Sequence, residues 1–204
     1  MAKEKVFNTK FIAGIGILSA IEVVLYIVGT VITNFAGVTI NLGLIPIAVG
    51  AILFGPVGGA FLGVVNGVLV LLTPSTWTIF MDTEILGDWC IFGTILNCLT
   101  KTGLGGFIAG LVNKLFKKVE IAGSVVSSLL IPVVNTAVFI CFAAIFYQVY
   151  FYSEGYIYGI LSFNFLIEII AMAVLCPAIV TVVKTTKRKS NSVQNFEEGQ
   201  NEKD

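Results

Sequence analysis

The hydrophobic residues of this chain come in blocks too long for a soluble core to absorb. Residues 11–32, about 94–116, 121–147 and 157–183 are apolar runs of roughly 20 residues or more. At a rise of about 1.5 Å per residue, each is long enough as a helix to cross a hydrocarbon layer about 30 Å thick. With 57% hydrophobic and 12% charged residues in 204, and a mean hydropathy of +0.97, lipid has to be the solvent for most of the molecule. Lys3, Lys5 and Lys10 precede the first run as they would in a signal peptide, but the run continues without a small-x-small cleavage site. It reads as a retained first span.

A fifth stretch, residues 39–72, is apolar but interrupted: TINLGLIPIAVGAILFGPVGGAFLGVVNGVLVLL. Charge parity decides how it runs. Lys114, Lys117 and Lys118 fill the gap after the run ending near 116, and Lys184, Lys187, Arg188 and Lys189 follow the last run. All three basic clusters fall on the cytoplasmic side only if residues 39–72 cross twice. Pro56, without a backbone N–H, and the glycines beside it mark the turn between two short arms, about 42–54 and 57–72. Gly55, Gly59, Gly63 and Gly67 recur every fourth residue and form a smooth strip on which a neighbouring helix can pack closely.

The fold class expected is therefore an all-α integral membrane protein: a compact bundle of six transmembrane helices, helices 2 and 3 short, both termini cytoplasmic. Residues 1–184 form the membrane domain, and residues 185–204, polar and charged, form a disordered cytoplasmic tail. Residues 73–93 hold Pro74, Trp77, Asp82, Glu84, Asp88 and Trp89 but no Lys or Arg, which suits a long extracytoplasmic loop of the kind that serves as a lid or binding loop.

Several chemistries are excluded or disfavoured. The net charge is zero and the basic residues follow topology, so no nucleic-acid partner is implied. Cys90, Cys98, Cys141 and Cys176 form no CxxC pair and the chain has no histidine, which argues against disulfides, a metal site and histidine-based proteolysis. No P-loop sequence occurs, so the chain cannot bind ATP by that motif. No catalytic residues and no cofactor are expected.

Ionisable residues at membrane depth are costly, and they face protein or water. Glu22, Lys101 and Glu168 are such residues, joined by the amides Asn97, Asn135 and Asn164, the last one turn before Glu168 on the same helix face. Counted from the outer ends, Asn97, Lys101, Asn135, Asn164 and Glu168 fall in the outer half or near the midplane, where they can line one outward-opening pocket. The plainer reading is a structural Lys101–Glu168 pair with interhelical amide bonds, and for Glu22 a helix-contact role. Tyr147, Tyr150, Tyr152, Tyr156 and Tyr158 fit an interfacial aromatic belt. Ala13, Gly16 and Ala20 form a small-residue face on the first helix, open to internal packing or to a partner helix.

The segments INLGLIPIAVGAILFGPVGGAFLG, NCLTKTGLGGFIAGLVNK, IPVVNTAVFI and NFLIEIIAMAVLCPAI, in that order and spacing, resemble the substrate-binding (S) components of bacterial energy-coupling factor (ECF) vitamin transporters. The resemblance implies a six-helix bundle in the bacterial cell membrane that captures a vitamin or related small molecule near the outer face. It implies partners as well: a transmembrane coupling subunit and two cytoplasmic ATPases. Carried onto this chain, it implies a substrate site drawing on Asn41, Trp77, Trp89, Lys101, Asn135, Asn164 and Glu168, with Asn97 nearby. It also implies docking of the coupling subunit on the first helix, where Gly16 and Ala20 stand in place of an AxxxA pair. A stand-alone proton-coupled permease and a non-transporting membrane scaffold are the alternatives.

Overall fold

A computed structural model describes residues 9–36, 41–116, 119–148, 165–176, 178 and 180–181. Its regular elements are all helical: α1 (Thr9–Ala36), α2 (Leu44–Leu71), α3 (Pro74–Phe80), α4 (Thr83–Leu86), α5 (Trp89–Leu115) and α6 (Glu120–Phe146). A further helical stretch, α7, covers Phe165–Cys176. Four of these, α1, α2, α5 and α6, have the length and apolar composition of a membrane crossing, although α2 reverses direction within its length. The basic tail expected beyond 184 and the later tyrosines, Tyr150 to Tyr158, lie outside the described residues.

α2 is two helical rods joined at Gly55. Gly50 packs on Leu62, Ala51 on Gly59 and Phe54 on Gly58, while Asn41 donates to Asn66 at 3.0 Å. These pairs share nearly one midpoint, so the two halves of α2 lie antiparallel. A straight helix would hold Asn41 and Asn66, 25 residues apart, at a distance of about 37 Å. The reversal falls at Gly55, whose φ of 77° and ψ of −165° lie in a region that essentially only glycine occupies. Pro56 opens the second rod, where its missing N–H costs nothing. Asn113 Nδ2 donates to the Ile52 carbonyl at 3.2 Å, satisfying an acceptor at the end of the first rod. Gly55→Ala is therefore expected to destabilise the protein by about 1 to 3 kcal/mol in detergent unfolding measurements.

The first rod, residues 44–54, is the axis of the bundle. Residues 43–52 are all buried, so no face of this helix meets lipid. Leu44, Ile45, Ile47, Ala48 and Ala51 share one core with Ile15 of α1, Leu62 of the second rod, Ala109 of α5, Ile131 of α6, and Met172 and Cys176 of α7. Pro46 is tolerated because it is the third residue of the helix, where an N–H would find no partner inside it.

The second rod, residues 56–71, lies against α5 backbone to backbone. A Cβ built on Gly59 would lie 2.3 Å from the Gly106 carbonyl oxygen, one on Gly63 2.2 Å from that of Thr102, and one on Gly67 2.4 Å from that of Cys98. The four-residue glycine strip thus has α5 as its partner. Thr102 adds a hydroxyl hydrogen bond to the Gly63 carbonyl across the contact. Lipid tails are as apolar as leucine, so this close packing and hydrogen bonding, not water exclusion, holds the pair together.

Contacts fix the relative directions of the helices. Phe11 of α1 packs edge-on against Phe54, and Gly55 lies beside the Lys114 side chain, so the start of α1, the hairpin tip and the end of α5 share one end of the bundle. Tyr26 bonds Thr73 and Thr94 bonds Tyr147 at the other. α7 runs beside the first rod in the same direction, with Cys176 Sγ near the Ile45 carbonyl and Val180 near Val49 and Ile52.

The segment expected as one long loop is largely helical. α3 begins with Pro74 in its first turn, and α4 is capped by Asp82, whose side chain accepts from the Glu84 and Ile85 amides. α5 starts at Trp89, five residues earlier than the apolar run suggests, so Trp89 belongs to its first turn and not to the connector.

Candidate functional site

The central rod is short, and its upper end determines where polar groups gather. Gly43 abuts Asn66, and Gly67 abuts Cys98, so the first turn of the rod is level with about Cys98 of α5. From there α5 continues nine residues further to Trp89, about 14 Å. α1 likewise continues beyond Glu22, which neighbours Asn66. Among the described residues, the amino end of the central rod therefore stops short of its neighbours, and side chains from α1, the second rod, α5, α6 and α7 gather about it; we refer to this region as the recess.

Its floor is an amide pair. Asn41 Nδ2 donates to Asn66 Oδ1 at 3.0 Å, Asn66 Nδ2 donates back at 3.4 Å, and the Gly43 amide donates to Asn41 Oδ1 at 3.1 Å. Asn41, expected at the start of the second span, is held in this way and its backbone N–H faces the Glu168 carboxyl. Asn66 was not anticipated. Beside it Glu22 is 0% exposed, and neither carboxyl oxygen has a hydrogen-bond partner among the described residues.

The wall formed by α5 and α6 carries cation and aromatics together. Lys101 Nζ sits 5.7 Å from the centroid of the Phe139 ring, a cation–π arrangement, and within electrostatic reach of Glu168. Phe80 of α3 packs edge-on against Phe139, with centroids 5.8 Å apart, and against Tyr147 at 5.1 Å. Thr94 locks this corner: its hydroxyl donates to the Phe80 carbonyl at 2.8 Å and pairs with the Tyr147 hydroxyl at 2.6 Å. Tyr147 is buried there, unlike the interfacial belt expected of it. Asn97 is 2% exposed, next to Tyr147, with an unpaired Oδ1; Asn135 Oδ1 is also buried and unpaired, about one turn below Phe139.

Trp77 is 56% exposed and its indole N–H donates to the Leu71 carbonyl at 2.7 Å, tying α3 to the second rod. Trp89 is 75% exposed. Asn164 lies outside the described residues. Ala13, Gly16 and Ala20 are on the exposed side of α1, and nothing approaches within 4 Å of a Cβ built on Gly16.

An all-helical, multi-pass membrane protein with charged and amide groups gathered at membrane depth has the build of those that bind and translocate small molecules. The sequence profile of the ECF transporter, substrate-specific component, matches residues 10–180, most of the chain, and the protein belongs to that family. It is accordingly the non-catalytic, membrane-embedded binding subunit of such a transporter. No curated protein and no solved structure matches it.

Proposed function

We propose that the protein captures a vitamin or related water-soluble small molecule from the outer side of the bacterial cell membrane, binding it in the recess above the central rod. The observation that carries this reading is the gathering of Asn41, Asn66, Asn97, Lys101 and Glu168 about the end of a helix that stops short of its neighbours. In hydrocarbon such groups are retained only where they face protein, water or a ligand. Lys101 receives an anionic or polar group of the ligand, Glu168 accepts from an N–H or orients Lys101, and Asn97, Asn135 and Asn164 supply amide contacts.

The orientation follows from charge. Lys114 lies at the hairpin-tip end, and the α3–α4 segment at the other end has acids but no Lys or Arg. On the positive-inside rule the recess faces out and both termini of the six-span bundle are cytoplasmic. Energy comes from partners: a transmembrane coupling subunit and two cytoplasmic ATPases. The small, open face at Ala13, Gly16 and Ala20 is the docking surface for the coupling subunit, since only small side chains let a second helix backbone come close.

Native mass spectrometry of gently purified full-length protein is the test. A retained small-molecule mass, with no ATP hydrolysis by the isolated subunit, is the expected result. Uptake into vesicles driven by a pH gradient alone, with no ATPase present, would refute it in favour of a stand-alone permease.

A further inference from the structure

The unpaired atoms around the recess are chemically one-sided. Among the described residues, the buried side-chain atoms without a hydrogen-bond partner are both carboxyl oxygens of Glu22, Oδ1 of Asn97, Oδ1 of Asn135 and Oγ of Ser127. Ser127 lies more than two turns from Asn135 toward the hairpin-tip end, away from the recess, and its hydroxyl can turn to donate. With Glu22 ionised, the other four atoms are all acceptor oxygens.

Glu22 is the most demanding of them. It is wholly buried, and of the two N–H groups on its polar neighbour Asn66 one is directed at Asn41, leaving at most one to meet a carboxyl with two oxygens. Lys101 is engaged over Phe139 and beside Glu168, on the opposite wall. Asn97 is at nearly the same height as Glu22: Asn66 neighbours Glu22 and Gly67 abuts Cys98, which puts the two within about 3 Å along the axis. Tyr26, one turn above Glu22, lies within electrostatic reach of Cys98, so the two helices flank the same level. An ionised carboxyl in this setting is matched by a group that brings positive charge and N–H donors. A simple anion would set acceptor against acceptor.

We propose that the ligand carries a cationic, N–H-bearing nitrogen end that is received by Glu22, with Asn97 accepting a second N–H, while Lys101 meets its opposite polar or anionic end. The substrate class is thus a small organic cation or zwitterion. This rests on the capture function proposed above and specifies its chemistry.

The test uses full-length protein in nanodiscs and fragment probes of two kinds. Benzamidine and 4-aminopyridine are cationic N–H donors, and benzoate and nicotinate are carboxylates of similar size. The donors are expected to raise the melting temperature of the wild type and the carboxylates to do so less. Glu22→Gln, which keeps the shape but loses the charge, is expected to weaken the donors by about tenfold or more. Ligand-free Glu22→Leu is expected to melt no lower than wild type, because it removes an unmatched buried carboxyl, whereas a structural contact would be missed. Preference for carboxylates, no response to either kind of probe, unchanged binding by Glu22→Gln, or a lower melting temperature for Glu22→Leu each overturns the proposal. A retained native ligand without N–H groups would overturn it and leave capture intact; protein that retains nothing and binds nothing would remove both.

Discussion

Gly63→Leu is expected to cost the protein its fold. A single added carbon would already lie 2.2 Å from the Thr102 carbonyl oxygen and 2.5 Å from its carbonyl carbon, and both are backbone atoms that cannot swing aside. To admit a leucine, the second rod and α5 must separate along their length, giving up the Gly59–Gly106 and Gly67–Cys98 contacts as well as the Thr102 hydrogen bond. The loss should reach about 3 kcal/mol or more, seen as aggregation on size exclusion or a collapsed melting transition. Gly16→Leu makes the comparison, since that position is open and should leave folding within about 0.5 kcal/mol of wild type. A monodisperse Gly63→Leu protein with the wild-type melting temperature would mean that the two helices do not touch there.

The second large effect is on ligand capture. Lys101→Ala combined with Glu168→Ala is expected to abolish ligand retention, because two of the charges facing the recess disappear and truncating even one partner of a buried charged contact costs about 2 to 5 kcal/mol. At about 1.4 kcal/mol per decade, that is a loss of affinity of about 30-fold or more. Mass spectrometry of retained ligand and binding of that ligand to the stripped protein both read it. Trp77→Ala should leave capture nearly unchanged: the indole N–H is committed to Leu71, and its job is to seat α3. Retention that survives the double substitution would move the binding site away from this recess.

Much of this was legible in the sequence because it rests on exceptions to apolarity. Proline next to glycine in a run otherwise fit for lipid marks a bend, and a glycine every fourth residue marks a contact face. Lys101 and Glu168 are conspicuous for the same reason. What stayed hidden is what lipid and protein interior have in common. Ile12, Ile17 and Val24 of α1 are exposed, while Leu44, Ile47 and Val49 are buried, yet in the sequence they are alike, because both environments are apolar. The central place of the first rod could not be read for that reason. Phe80, Phe139 and the buried Tyr147 were masked likewise by the aromatic background of the chain. Asn66 did leave a signal, an amide directly before Gly67 in an apolar run, but its role depends on the hairpin that brings it to Asn41.

Because the axial helix ends below its neighbours, its starting residue would act, in the capture proposed above, as a spacer for the cargo. An additional turn at that end would raise the floor by about 5.4 Å, and removing a turn would lower it by as much, with the surrounding scaffold unaltered. Proteins of one architecture can thus be fitted to molecules of different length by shifting a single helix start.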